Sequence, residues 1–237
     1  RKNGPEYQYE VGKPWMYGSL IAKYDFPIYK SEKTIKAERD SMLALYEPYF
    51  NYEGDVEQKE INRFLNDYKN GIPGLPKSFI TIIADGLHRL YQQGIMDTPK
   101  YSELLKDSTR MIRIVNGKQA SSTQINCIYS TLAAYEQIFL DDILGQQRQI
   151  LQRCNLNEYI EPNLIFDKVR SKASMDDLVS GIPLASGVVL SGQKIIDRGE
   201  IVGDGTYRVL ESLKKENDKR TSSKTDYWMT LGGQILY

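Results

Sequence analysis

The sequence predicts an α+β fold: a helix-rich domain with a small, mostly antiparallel sheet and a C-terminal β-hairpin followed by a helix. Three stretches carry that expectation. Ile21, Phe26, Ile28 and Tyr29 make a short β-type pattern that runs into a charged, periodic segment. Phe79, Ile80, Ile83, Leu87, Leu90 and Tyr91 recur at three- and four-residue spacing, which gives a helix one apolar stripe. Residues 187–196 read as two strands about a Ser191-Gly192 turn, and a helical run with Tyr207, Val209, Leu210 and Leu213 follows.

In chain order, residues 1–11 show no period and read as an arm. The stretch 12–39 then organises the chain. Pro27 marks its strand as an edge strand, because proline has no N–H for a ladder. Ser31 opens the first helix, since a serine oxygen accepts from the free N–H groups of a first turn. That helix is expected over 31–46, with Ile35, Met42, Leu43 and Leu45 as its apolar positions. Pro48 keeps the residue before it out of the α region, and 51–54 reads as a turn. A second helix is expected over 56–69, closed by Asn70-Gly71. Pro76 stands at the start of the third, striped helix, which runs to Gly94.

A short helix over 100–106 follows Asp97-Thr98-Pro99. Residues 111–115 alternate and meet Asn116-Gly117, so a strand, a tight turn and a polar partner strand over 118–123 are expected. One long helix is expected from 122 or 130 to 152, carrying Leu132, Tyr135, Phe139, Ile143, Ile150 and Leu151, with Gly145 its weak point. Residues 161–167 lead into a less regular segment ending near Val179. The mixed charges of 214–224 read as a solvated tail or linker. Residues 226–237 turn apolar and aromatic, as membrane-interface residues or a final strand would. The expected partition is 1–30 arm and strand, 31–180 helical body with a short strand pair, 181–217 hairpin plus helix, and 218–237 linker.

Composition narrows the function. A chain of 237 residues is long enough to bury a proper core, and 41% hydrophobic with 26% charged residues argues against extensive disorder. Lys plus Arg, 31, cancels Asp plus Glu, 31, which is not the one-faced basic footprint of a nucleic-acid binder. No run of eighteen apolar residues is present, and the chain opens on Arg1-Lys2-Asn3-Gly4 without a secretory leader, as a fragment would. His88 is the single histidine, in a helical run with no Cys or Asp at ligand spacing, so it reads as an ordinary helix residue. A metal-dependent phosphohydrolase needs several histidines, and a serine or cysteine hydrolase usually needs a His base. The glycines at 203 and 205 are not followed by the Lys-Ser/Thr of a phosphate loop. No catalytic, cofactor or metal residue is therefore expected, and the ligand-binding residues are unknown.

Pro14-Trp15-x-Tyr17-Gly18-x-Leu20-Ile21-Ala22, followed by Asp25-Phe26-Pro27-Ile28-Tyr29-Lys30-Ser31, resembles the opening of the extracytoplasmic domain of seven-transmembrane HD-phosphohydrolase receptors. Residues 162–179 and 191–213 extend the resemblance; the last is similar to the segment that closes the family's outer domain, with Gln193 and Glu200 where the family often has Glu and Asp. The form containing Trp15 resembles the Bacteroidetes branch. The resemblance implies a non-catalytic sensor domain on the extracytoplasmic (periplasmic) face of the inner membrane. It implies flanking membrane segments, which makes 218–237 juxtamembrane, and a cytoplasmic HD domain elsewhere in the parent protein that hydrolyses cyclic di-AMP. It also implies that residues 1 and 237 approach the membrane on one side. In that oxidising setting Cys127 and Cys154 either remain two thiols or pair, and a bridge over such a loop would contribute ~3 kcal/mol.

Three functions are weighed. The first is a sensor for an unknown ligand, expected to show a deep, mostly apolar cavity. The second is an envelope protein-interaction module without a small ligand, for which seventeen tyrosines supply contact surface. The third is a hydrolase using carboxylates, which would need a buried, close acidic pair.

Overall fold

Among the described residues Trp15 and Tyr91 are the largest side chains fully enclosed, and each sits in a different half of the chain's packing. The computed structural model describes residues 6–232, with side chains to 223. The elements are β1 (Leu20–Ile21), β2 (Phe26–Tyr29), α1 (Glu32–Leu43), β3 (Tyr49–Tyr52), α2 (Gly54–Asp67) and α3 (Ser78–Gln93). Next come β4 (Ile95–Met96), α4 (Thr98–Lys106), β5 (Met111–Asn116), β6 (Gln119–Gln124), β7 (Tyr129–Ser130) and α5 (Thr131–Ile138). The rest are α6 (Asp142–Gln146), α7 (Arg148–Leu151), β8 (Leu164–Phe166), α8 (Lys168–Ser180), β9 (Ala185–Val189), β10 (Lys194–Ile196) and α9 (Asp204–Gly232). The α+β class holds, with the strands spread over three sheets.

Two compact units divide the chain, one from Arg1–Ala44 with Leu178–Tyr237, the other from Leu45–Asp177. In the second unit a mixed sheet runs in the order β6-β5-β3-β8-β4-β7. Phe64, Ile83, Leu87, Tyr91, Ile138 and Leu151 pack together as one helical core of this unit, and Phe50, Met96, Ile112 and Leu164 form a second cluster. The stripe of α3 delivers its expected residues: Phe79, Ile83, Leu87, Leu90 and Tyr91 are buried. Gly94 turns that helix into β4 at φ +104°, and a Cβ there would lie 2.8 Å from Leu164 Cδ1, so both backbone and space require glycine. Buried Asn163 staples the junction: its Oδ1 accepts from Ile95 N (2.7 Å) and its Nδ2 donates to Tyr91 O (2.9 Å).

In the first unit β1 pairs with β10 and β2 with β9, both antiparallel. Pro27 lies in a two-stranded ladder, as an edge residue should. Ser31 caps α1, accepting from Thr34 N at 3.0 Å. The strands expected around Ser191-Gly192, the turn and the following helix are all present, but β9 and β10 pair with β2 and β1 rather than with each other. The turn explains this. Gly192 N donates to Ala22 O and Ser191 N to Asp25 Oδ1, so the β9–β10 connection docks on the β1–β2 connection.

Other expectations are corrected. The first helix ends at Leu43 and buries none of its residues, and Leu45 is exposed. Residues 49–52, read as a helix stop and a turn, form β3, an inner strand between β5 and β8. Its aromatic residues suit a pleated surface, but both partners lie far along the chain. The long helix expected to 152 is broken into α5, α6 and α7. Asp141 caps α6 by accepting from Ile143 N and Leu144 N, and a Cβ on Gly145 would sit 2.6 Å from Phe139 O. Leu132 and Ile143, expected in a core, are exposed. The less regular segment after Asp167 is α8, opened by Asp167 Oδ1 accepting from Arg170 N. Residues 214–232 continue α9 instead of forming a tail, because Lys, Glu and Arg are good helix formers and Glu216 pairs with Lys219 one turn on. A final strand is thereby excluded up to Gly232; the side chains of Tyr227 and Trp228, and the positions of residues 1 and 237, lie outside the described set. Cys127 and Cys154 are both free, the first exposed and the second buried. A thiol reagent is expected to label Cys127 at once and Cys154 only on unfolding, which mass spectrometry of the labelled chain would check.

Candidate functional site

The site is built on how the first unit holds α9. Trp15 anchors it: the indole is 1% exposed, and Nε1 donates to Gly18 O at 2.9 Å. Tyr7 and Tyr17 pack on its ring with centroids at 5.0 Å, and Ile196, Val202 and Leu210 complete the cluster. Backbone bonds from Trp15 N to Glu200 O and from Gly199 N to Trp15 O fix the segment just before α9. Tyr9 spans the gap to the helix, edge-on to Tyr207 and donating to Glu211 Oε1 at 2.8 Å. Burial, reinforced by the Glu211 carboxylate, raises the Tyr9 phenol far above its ordinary value, so it stays a donor.

The β2 strand grips the next turns. Tyr29 N donates to Ser212 Oγ, and that hydroxyl donates to Arg208 O, so the buried serine is satisfied twice. The Tyr29 hydroxyl donates to Glu216 and accepts from Lys219 at 2.7 Å. The hydroxyl is the main reason the Glu216 carboxyl lies below its usual range and the Lys219 ammonium above its own. A carboxyl lowered in this way keeps its charge, and so the contact, to more acidic pH than an ordinary glutamate would. Tyr24 hydrogen-bonds Asn217, and Arg220 lies 3.6 Å over the Tyr24 ring. Beneath these polar contacts Phe26, Val189, Val209 and Leu213 pack together. Three tyrosines thus clasp α9 from Tyr207 to Arg220. Tyr29 stood out in the sequence only as a strand residue and Tyr9 and Tyr24 not at all, since each partner lies about two hundred residues away.

Against the first two turns of α9 lies an open groove of about 530 Å³. Ile28, Val188, Val189, Ile195 and Val209 give apolar walls, and Ser186, Gln193, Lys194, Thr206 and Arg208 supply polar groups. Lys194 is held by Asp197 at 2.6 Å, whereas the partly exposed Arg208 has no carboxylate partner among the described residues. A second space, about 690 Å³, runs along the charged face of α9 and is lined by polar side chains alone.

The remaining sequence candidates lie elsewhere. His88 faces Glu57 across α2 and α3. Glu60 is the one buried acidic side chain among the described residues, ion-paired with Arg63 at 2.9 Å, so no buried carboxylate pair exists there. The same residues hold no cluster of metal-ligating groups and no helix long and apolar enough to cross a membrane.

A strand pair and an aromatic arm clasping one long helix, with a groove beside the grip, define a helix-holding α+β module. The chain belongs to the 7TM-HD extracellular family, whose model matches residues 19–216. The matched region is the outer domain of a seven-transmembrane HD protein and contains no HD catalytic domain. No curated protein and no solved structure matches the chain.

Proposed function

We propose that this chain is the non-catalytic receiver of a membrane-bound HD-type cyclic di-AMP phosphodiesterase, held on the periplasmic face of the inner membrane, with α9 as its output. The observation that carries the reading is the clasp: the helix at the end of the family's outer domain is gripped over four turns beside the groove. A ligand that binds the gripped and released arrangements with different free energy shifts the helix, which is the physical requirement for a sensor. The groove offers apolar walls and Arg208, which has no carboxylate partner among the described residues, and this suits a small amphipathic anion. An envelope protein is the second reading, favoured by the groove's open shape over a closed chamber.

The test uses the membrane-embedded parent protein. Arg208→Gln is expected to leave the isolated chain's stability within about 0.5 kcal/mol of the original, as surface changes do. In cells the same substitution is expected to change the cyclic di-AMP level. An unchanged level at equal abundance counts against the groove. The isolated chain is expected to leave cyclic di-AMP intact with magnesium or manganese, and turnover by it overturns the reading.

A further inference from the structure

The two edges of the six-stranded sheet differ. β7 is two residues long and runs into a helix, which protects it. β6 pairs with β5 over six consecutive residues without a register shift, and its Gln-Ala-Ser-Ser-Thr-Gln sequence has no charge and no proline. Native edges of that length are ordinarily blunted by lysine, proline or a bulge.

The polarity of this edge follows from its neighbours. Alternate residues of a strand turn N–H and C=O to opposite sides. Arg113 N donates to Pro48 O, so the odd residues of β5 face β3 and the even ones face β6; Arg110 O, accepting from Ile125 N, keeps the same parity. The pairs Ile112–Thr123, Ile114–Ser121 and Asn116–Gln119 therefore carry the hairpin bonds. Ala120 and Ser122 are left with N–H and C=O turned to the open edge, and Gln124 with its N–H, while the Gln124 C=O opens the 3-10 turn at 125–127.

We propose that β6 is a self-pairing edge: two copies of this chain join antiparallel through it, about a two-fold axis at Ser122. Directly opposed residues in an antiparallel ladder must both point their backbone groups at each other or both away. Centring on Ser122 meets that rule, with Ala120 opposite the Gln124 N–H and Ser121 opposite Thr123. A second copy fits better than a foreign peptide. The side chains of Ala120, Ser121 and Ser122 are small and exposed, so the middle of β6 forms no pockets that would read a peptide's sequence. β6 itself carries no charge, and the Glu47 carboxylate that accepts from Ser122 Oγ is ion-paired with Arg113, so two copies meet at Ser122 without unbalanced like charges. The pairing does not rest on the ligand groove.

Sedimentation equilibrium of the whole chain tests it. A strand pair this short buries less than a standard interface, so a dissociation constant of about 0.1–1 mM is expected. Ala120→Lys with Gln124→Lys opposes like charges on both sides of the axis and is expected to weaken the dimer about tenfold or more. Ala120→Lys with Gln124→Glu opposes unlike charges and is expected to restore it, with circular dichroism unchanged in both. A chain monomeric throughout that range, a dimer indifferent to both variants, or one dissolved equally by both would overturn the proposal.

Discussion

Trp15→Ala is expected to cost about 3–5 kcal/mol, the range for removing a fully enclosed aromatic side chain. The indole is in contact with the rings of Tyr7, Tyr9 and Tyr17, and its cluster includes Leu210 of α9. Its loss opens a cavity where the N-terminal arm meets α9, and Tyr9 loses the surface that positions it toward Glu211. Trp15→Phe keeps most of the packing but gives up the bond to Gly18 O, so a smaller loss of about 1–2 kcal/mol is expected. Urea titrations followed by far-ultraviolet circular dichroism would separate the two. A loss below about 1 kcal/mol for the alanine variant would mean that the arm contributes little to the hold on α9.

That anchor was only half legible in the sequence. Trp15 stood out as part of a motif, but its role depends on residues near 200 that no local pattern connects to it. The same limit runs through the fold. The α3 stripe was plain because a helix carries its evidence within its own turns. Strand β3 was not, since its four residues are held by partners at 113–115 and 164–166. The β9 and β10 segments were legible as strands, yet their partners were set by how the turn at 191–192 docks on Ala22 and Asp25. In the long segment to 152, recurring apolar residues outweighed Asp141, whose cap divides it. The clasp was hidden for the same physical reason as β3. A tyrosine hydroxyl has no periodicity, and the partners of Tyr9, Tyr24 and Tyr29 lie 202, 193 and 187 residues away.

The second large effect belongs to Asn163, which is completely buried in the other unit. Asn163→Ala strips the acceptor from Ile95 N and the donor from Tyr91 O, leaving two buried backbone groups unmet at about 1–3 kcal/mol each. A loss of about 4 kcal/mol is expected in the same titration, and a loss under about 1 kcal/mol would mean that water replaces the amide there. Asn163→Asp distinguishes hydrogen bonding from mere volume. A protonated carboxyl can still accept from Ile95 N and donate to Tyr91 O, whereas an ionised one faces the Tyr91 carbonyl with a lone pair and carries a buried charge. Burial therefore raises the folded-state value of the introduced carboxyl above its unfolded one of about 3.9. A group so raised contributes its stability fully below the unfolded value and loses it as pH rises through the folded one. The aspartate variant should approach the original protein's stability near pH 4 and fall away from it by pH 7. A difference between the two that does not change with pH would place the cost in packing rather than in the hydrogen bonds of Asn163.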